Sequence, residues 1–102
     1  MKKYLLLILV LFSSFLSADD LDGKKVFETY CWGCHHQTAM AFGPPFSQIA
    51  AKRTKAEIIA YISSPKLMYK EFGYKRTVMT QFNLNPKELD LISDYILLYK
   101  GK

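Results

Sequence analysis

Cys31-Trp32-Gly33-Cys34-His35 sets two thiols three residues apart and puts an imidazole directly after the second. That is the spacing by which a chain attaches haem covalently. Each thiol can add across one of the two vinyl groups on a porphyrin edge, and the next residue then lies within reach of the iron. Three side chains would fix the cofactor's position, its tilt and one axial ligand: Cys31 and Cys34 as thioether donors, His35 as a metal ligand. Two cysteines at this spacing also serve as a structural disulfide, a dithiol redox centre or half of a zinc site. The zinc reading runs short of ligands, because His35 and His36 are the only histidines and there is no third cysteine. Only carboxylates would remain to complete it. A thioredoxin-like centre needs strands alternating with helices, and this chain has almost no strand pattern.

Upstream, Met1-Lys2-Lys3 is a basic opening and Tyr4 to Leu16 is nearly all apolar, followed by Ser17-Ala18. The pattern predicts a secretory signal at residues 1–18, cut after Ala18, and therefore export to the periplasm. Leu16, three residues before the cut, is larger than the residue usually found there. The apolar run is too short to span a bilayer, which takes about 20 residues, so no stable membrane insertion is expected once it is removed. Eighteen of 102 residues leave 84, numbered 19–102, enough for one domain. So short a chain buries only ~60% of the surface it exposes when unfolded, and a covalently held haem would act as the staple such a core needs.

Without Lys2 and Lys3 the 14 Lys and Arg fall to 12, against 9 Asp and Glu, for a balance of +3. Seven cations, Lys52, Arg53, Lys55, Lys66, Lys70, Lys75 and Arg76, crowd the middle of the chain, where only Glu57 and Glu71 oppose them. This is either an ordinary solvated surface or a docking face for an acidic redox protein, since complementary patches raise encounter rates. An exported chain with no nucleic-acid motif is not expected to bind nucleic acid.

The remaining pattern is helical, so the fold class is all-α. Asp19-Asp20-Leu21-Asp22-Gly23 suits a helix N-terminus, with Val26, Phe27 and Tyr30 on one face of a helix reaching about Tyr30. Gly23 shares the side of Phe27 and leaves room for another helix. His36 to Phe42 reads as loop. Gly43-Pro44-Pro45 is a turn, with Pro45 as first residue of a short helix through Ala51. Thr54 and Glu57 form a capping box before Ile58, Ile59, Tyr61 and Ile62, and Pro65 stops that helix. Residues 65–84 allow one more helical turn and then an irregular segment. The last helix is the best defined, with Asn85 as cap, Pro86 at the first position, Glu88 completing the box and Leu84 against Leu89 as a staple. Its stripe of Leu89, Ile92, Tyr95, Ile96 and Tyr99 is expected to pack on the first helix or the cofactor, and Gly101 ends it.

Read together, the haem motif, Gly43-Pro44, Met79 and the capped final helix resemble the class I c-type cytochromes, the small single-haem kind, over nearly all of residues 19–102. The resemblance implies first and last helices crossing around one haem c, with Gly23, Phe27 and Tyr95 at the crossing. It implies that the Pro44 carbonyl bonds the second nitrogen of His35, and that a methionine is the sixth ligand. Met1 lies in the signal, and Met40 is only five residues past His35. Of Met68 and Met79, Met79 holds the family's place ahead of the last helix. Thr80 stands where that family has proline. His36, beside a residue already on the near face, is expected in solvent.

With His35 and Met79 both on iron no position stays open, and the expectation is a monomeric one-electron carrier between respiratory partners, not an enzyme. Two other readings stay open. One is a gas-binding or sensing module whose sixth position is free because methionine is weak or absent there. The other is a haem subunit of a larger periplasmic oxidoreductase.

Overall fold

In the computed structural model, which describes residues 22–102, Asp22 opens the first helix. Its carboxylate accepts the N–H of Lys25 at 2.8 Å, one of the amides a helix start leaves without a partner. Helix α1, Gly23–Val26, runs straight into a π-helical turn, Phe27–Cys31. The turn closes with the Trp32 N–H on the Phe27 carbonyl at 2.8 Å, a bond spanning five residues. This wider turn puts Cys31 behind Phe27 on the buried side and rolls Tyr30 outwards, to 37% exposed. Tyr30 therefore belongs to the edge of the core, not to the face that Val26 and Phe27 share. The signal-peptide expectation for residues 1–18 falls outside the described residues.

Helix α2 is Phe46–Lys52, and Pro45 is its extended N-cap, one residue before the helix it was expected to begin. Helix α3, Lys55–Ser63, starts on the capping box: the Glu57 N–H reaches the Thr54 hydroxyl at 3.2 Å and the Thr54 N–H reaches the Glu57 carboxylate at 2.9 Å. Ser64 breaks the helical path, and Pro65 then begins a further turn, α4, Pro65–Met68. Pro65 thus starts a helix as well as bounding one, because its missing N–H costs nothing at a first position. Residues 75–85 carry neither helix nor strand.

Helix α5, Pro86–Leu97, has the expected Asn85 and Glu88 box. Its α-geometry stops at Leu97, and tight turns continue to Gly101, which takes φ 80°. Ile92 and Ile96 are fully buried, and α1, α2 and α3 all pack on this helix. Ser93, also buried, returns its hydroxyl to the Leu89 and Asp90 carbonyls at 2.7 and 3.0 Å, so no polar group is stranded there. Outside the core, Lys55 on α3 bridges to Asp90 and Asp94 on α5. Its hydrogen bonds to these carboxylates, Asp90 first, hold the ammonium above its ordinary pKa. That contribution is present below the ordinary lysine value and is lost as pH rises through the raised one.

The crossing of α1 and α5 is set by Gly23. A Cβ built there would lie 2.5 Å from Tyr95 Cβ and 2.6 Å from the Leu91 carbonyl oxygen. Both obstacles are at or next to backbone and cannot swing away. Gly23→Ala is expected to cost about 1–3 kcal/mol through this overpacking, lowering Tm by several degrees for a domain this size. Thermal unfolding of the haem-loaded protein measures it, and a variant that melts with the parent would show that the two helices do not need this close approach.

Candidate functional site

The turn that carries the motif is tight. The N–H groups of Cys34 and His35 both reach back to the Cys31 carbonyl, at 3.3 and 3.1 Å, and Gly33 takes φ 97°, a conformation that costs a side-chain residue energy. Trp32 is thrown outwards, 71% exposed. Cys31 faces inwards with 9% exposure, and burial first, then the neighbouring Cys34 thiol, push its pKa up to about 11. Cys34 stays exposed.

His35 is held from three directions. Its Nδ1 lies 2.8 Å from the Pro44 carbonyl oxygen. A carbonyl only accepts, so Nδ1 carries the proton and Nε2 keeps the lone pair a metal would need. The ring stacks on Phe46, with centroids 5.7 Å apart and planes at 27°. On a third side stands Gly43, where a Cβ would fall inside the ring's own contact distance, 2.7 Å from Nδ1. The loop that supplies Gly43 and Pro44 is tied back by main-chain bonds from Gly43 to Cys34 at 2.7 Å, Phe46 to His36 at 3.0 Å and Ser47 to Gln37 at 3.0 Å. His36 is exposed, and its Nδ1 accepts the N–H groups of Thr38 and Ala39, both at 3.0 Å, so it shapes the loop.

Cys31, Cys34, His35, Pro44 and Met79 all line one cleft of about 360 Å³. Met68 and Met40 do not line it, and Met40 is 69% exposed. Met79 is half-buried and packs on the core. Apolar side chains make most of the walls: Phe46, Ile49, Ile58, Ile62, Phe82 and Ile96 among them. One part of the wall is polar, with Arg53, Tyr61, Tyr74, Arg76 and Thr77. Arg53 donates to the Phe72 carbonyl at 2.7 Å and lies 4.2 Å over the Phe72 ring, with Glu57 at 3.7 Å. Its Nε is buried and has no hydrogen-bond partner in the protein.

These features fit haem c. Two thiols and an imidazole stand at one wall, a thioether is available from another segment, apolar residues suit a flat porphyrin, and an unpartnered guanidinium N–H suits a propionate carboxylate. Among the described residues no group of three His, Cys, Asp or Glu side chains gathers to hold a metal ion.

Phe46, Gly43 and Arg53 carry parts of this site that the sequence does not announce as functional. Phe46 follows a proline-rich turn, and Gly43 reads there as a turn residue and, with Pro44, as part of the family resemblance, with nothing to say that it abuts the His35 ring. Arg53 is one cation in a basic run, and nothing local marks it as turned inwards.

Gly43 is not in a positive-φ conformation, so Gly43→Ala tests space alone. It is expected to displace His35 or the Pro44 carbonyl and to lower stability by about 1–3 kcal/mol. The low-spin optical spectrum of the haem-loaded variant should be altered. An unchanged spectrum and unfolding midpoint would mean that the His35 ring is not confined by this residue.

A sequence model of the family described as Cytochrome c matches residues 21–99. No curated protein and no solved structure matches the chain.

Proposed function

The chain belongs to the cytochrome c family, and from that premise we propose that it is a class I, single-haem electron carrier working in the periplasm between respiratory redox partners. The family carries haem c covalently and uses it for electron transfer. When bound, the haem supplies a one-electron couple, which thioether ligation in place of a second histidine shifts towards the ferrous state.

The observation that carries the reading is that one cleft gathers Cys31, Cys34, His35 and Met79. In this reading Cys31 and Cys34 tether the cofactor edge and His35 Nε2 binds the iron. The Pro44 carbonyl holds the imidazole in the tautomer that leaves Nε2 free and makes it a stronger donor. Met79 takes the sixth position, and the apolar walls exclude water. A site with both axial positions filled by protein moves electrons and leaves no place for a substrate.

The surface supports the choice of partner. Of the seven cations in the middle of the chain, Lys55 is paired with Asp90 and Asp94, and Arg53 is turned towards Phe72 and Glu57. The remaining five, Lys52, Lys66, Lys70, Lys75 and Arg76, are exposed, and Arg76 also lines the cleft. An acidic partner would be steered towards the cleft by such a distribution. Among the described residues no helix is long and apolar enough to cross a membrane. Export rests on the pattern of residues 1–18.

A gas-binding site with an open sixth position is the competing reading, and the absence of proline after Met79 favours it. Optical spectroscopy of Met79→Ala, Met68→Ala and His35→Ala beside the parent separates the two. The parent and Met68→Ala should show the weak near-infrared band of methionine on ferric iron and bind no carbon monoxide when ferrous. Met79→Ala should lose the band and bind carbon monoxide, and His35→Ala should lose the low-spin spectrum. Ready carbon monoxide binding by the parent would reject the carrier and establish the open site.

Charge offers a separate check. Reduction of ferricyanide should slow as ionic strength rises, while reduction of a cationic cobalt(III) complex should quicken. Equal salt responses would remove the basic face as a docking surface.

A further inference from the structure

Residues 75–84 line part of the cleft without a single hydrogen bond between main-chain groups among the described residues. Side chains hold this segment instead. On one side of Met79, the Tyr61 hydroxyl on α3 donates to the Thr77 hydroxyl oxygen at 3.1 Å. On the other, the Phe82 ring meets the Tyr30 ring edge-on at 5.6 Å, and Leu84 packs on the core. The Met79 N–H itself donates to the Thr77 hydroxyl oxygen at 3.3 Å. That oxygen therefore accepts two hydrogen bonds, one from a helix and one from the main chain of the methionine.

Tyr61 is well placed to act as a fixed point. Its ring is bracketed by Phe72 at 5.2 Å and Tyr74 at 5.7 Å, so the hydroxyl has little freedom to follow a moving loop. A proline at position 80 would stiffen the main chain on its own account, fixing φ there and restricting residue 79. Thr80 does neither, and the rigidity has to come from contacts through space.

We propose that Thr77 is the positioning residue of the sixth ligand: tethered by Tyr61, its hydroxyl orders the Met79 main chain and so keeps the thioether in the cleft. The proposal rests on Met79 being that ligand. With the hydroxyl removed, both bonds disappear together and the segment between Tyr74 and Phe82 gains conformations in which the sulfur leaves the iron. The sixth position then becomes accessible to small external ligands. Thr77 lines the cleft without being a ligand, and its hydroxyl bonds run to Tyr61 and to the Met79 main chain, so its influence on the sixth position passes through Met79.

The test is a titration of the ferric, haem-loaded protein with imidazole, which competes with methionine for the sixth position. Its apparent affinity reports how often Met79 is off the iron. Thr77→Val should raise that affinity roughly tenfold, the equivalent of about one net hydrogen bond. Thr77→Ser keeps the oxygen and should titrate like the parent. Tyr61→Phe, which removes the tether but leaves the Met79 bond, should fall between. A purely structural role would lower the global unfolding midpoint and leave imidazole affinity unchanged.

Met79→Ala sets the reference, since it has no protein ligand to displace and should bind imidazole most tightly. If it titrates like the parent, Met79 is not the ligand and the proposal fails whatever Thr77 does, while the carrier reading is judged by the carbon monoxide test on the parent. If it binds tightly while Thr77→Val and Tyr61→Phe titrate like the parent, the tether is overturned and the ligand assignment stands. Should Thr77→Val fail to assemble, Tyr61→Phe decides: parent-like titration overturns the proposal.

Discussion

Phe46 is the side chain on which the rest of the structure leans. It is 1% exposed, and its ring meets Phe27 of the π turn edge-on at 5.2 Å, Tyr95 of α5 at 6.2 Å, Tyr99 at 6.4 Å and the His35 imidazole at 5.7 Å. Aromatic pairs of this kind contribute roughly 0.5–1.5 kcal/mol each beyond the area they bury. The larger consequence is geometric. First helix, last helix and the His35 imidazole all rest on one ring, so the orientation of His35 is a property of the folded core. The Phe27 and Tyr95 rings, 5.7 Å apart with their planes at 29°, close the triangle. Their spacing depends in turn on Gly23 allowing α1 to sit against α5.

The two sides of the cleft are built differently. At the His35 wall, main-chain bonds tie the 36–47 loop to the motif turn, and Gly43, Pro44 and Phe46 confine the ring from three directions. Cys31 belongs to the same rigid body, buried deeply enough that its thiol stays protonated well above neutral pH. At the Met79 wall there is no secondary structure, and a handful of side-chain contacts carry the whole load. Segments with few buried contacts and no main-chain bonds are the ones that open at low energy. A haem in this cleft would thus have one axial ligand fixed by the fold and another whose hold depends on local contacts.

What the sequence discloses and what it hides divide along the same line. Caps are local, so Thr54 with Glu57 and Asn85 with Glu88 could be recognised from four adjacent residues, and both boxes form. The pairing of Gly23 and Phe27 with Tyr95 came from family resemblance, since periodicity alone could not say which helix faces α1. Pro65 bounds the helix before it as its sequence position implies, whereas Pro45 sits one residue outside the helix it is expected to begin, because a proline is equally suited to the last extended residue and the first helical one. The π turn could not be foreseen: it is one extra residue in a turn, dictated by how Phe27 and Cys31 share the buried face. Arg53 reaches Phe72, Tyr61 reaches Thr77 and Phe46 reaches His35 across eleven or more residues, and no spacing in the chain encodes that Tyr61 meets Thr77 or that Arg53 caps the Phe72 carbonyl. They become readable only when α3 and the segment after Gly73 are placed together.

This asymmetry explains why fold and function separate so cleanly in this chain. The packing around Phe46 and α5 would be the same for an electron carrier and for a haem that binds gases, and nothing in the core distinguishes them. The distinction lies in whether a thioether stays on the iron, a matter of a few kcal/mol at most when the loop has no main-chain-to-main-chain hydrogen bonds to oppose its motion. Energies of that size are within reach of one hydroxyl and one aromatic contact. Substitutions at the exposed positions of residues 75–83 could therefore move such a chain from one function to the other while the helix packing around Phe46 stayed nearly unchanged. The same reasoning makes Thr80 tolerable: the stiffness a proline would supply locally is replaced by contacts to helix α3 and to Tyr30, two parts of the structure that are already fixed.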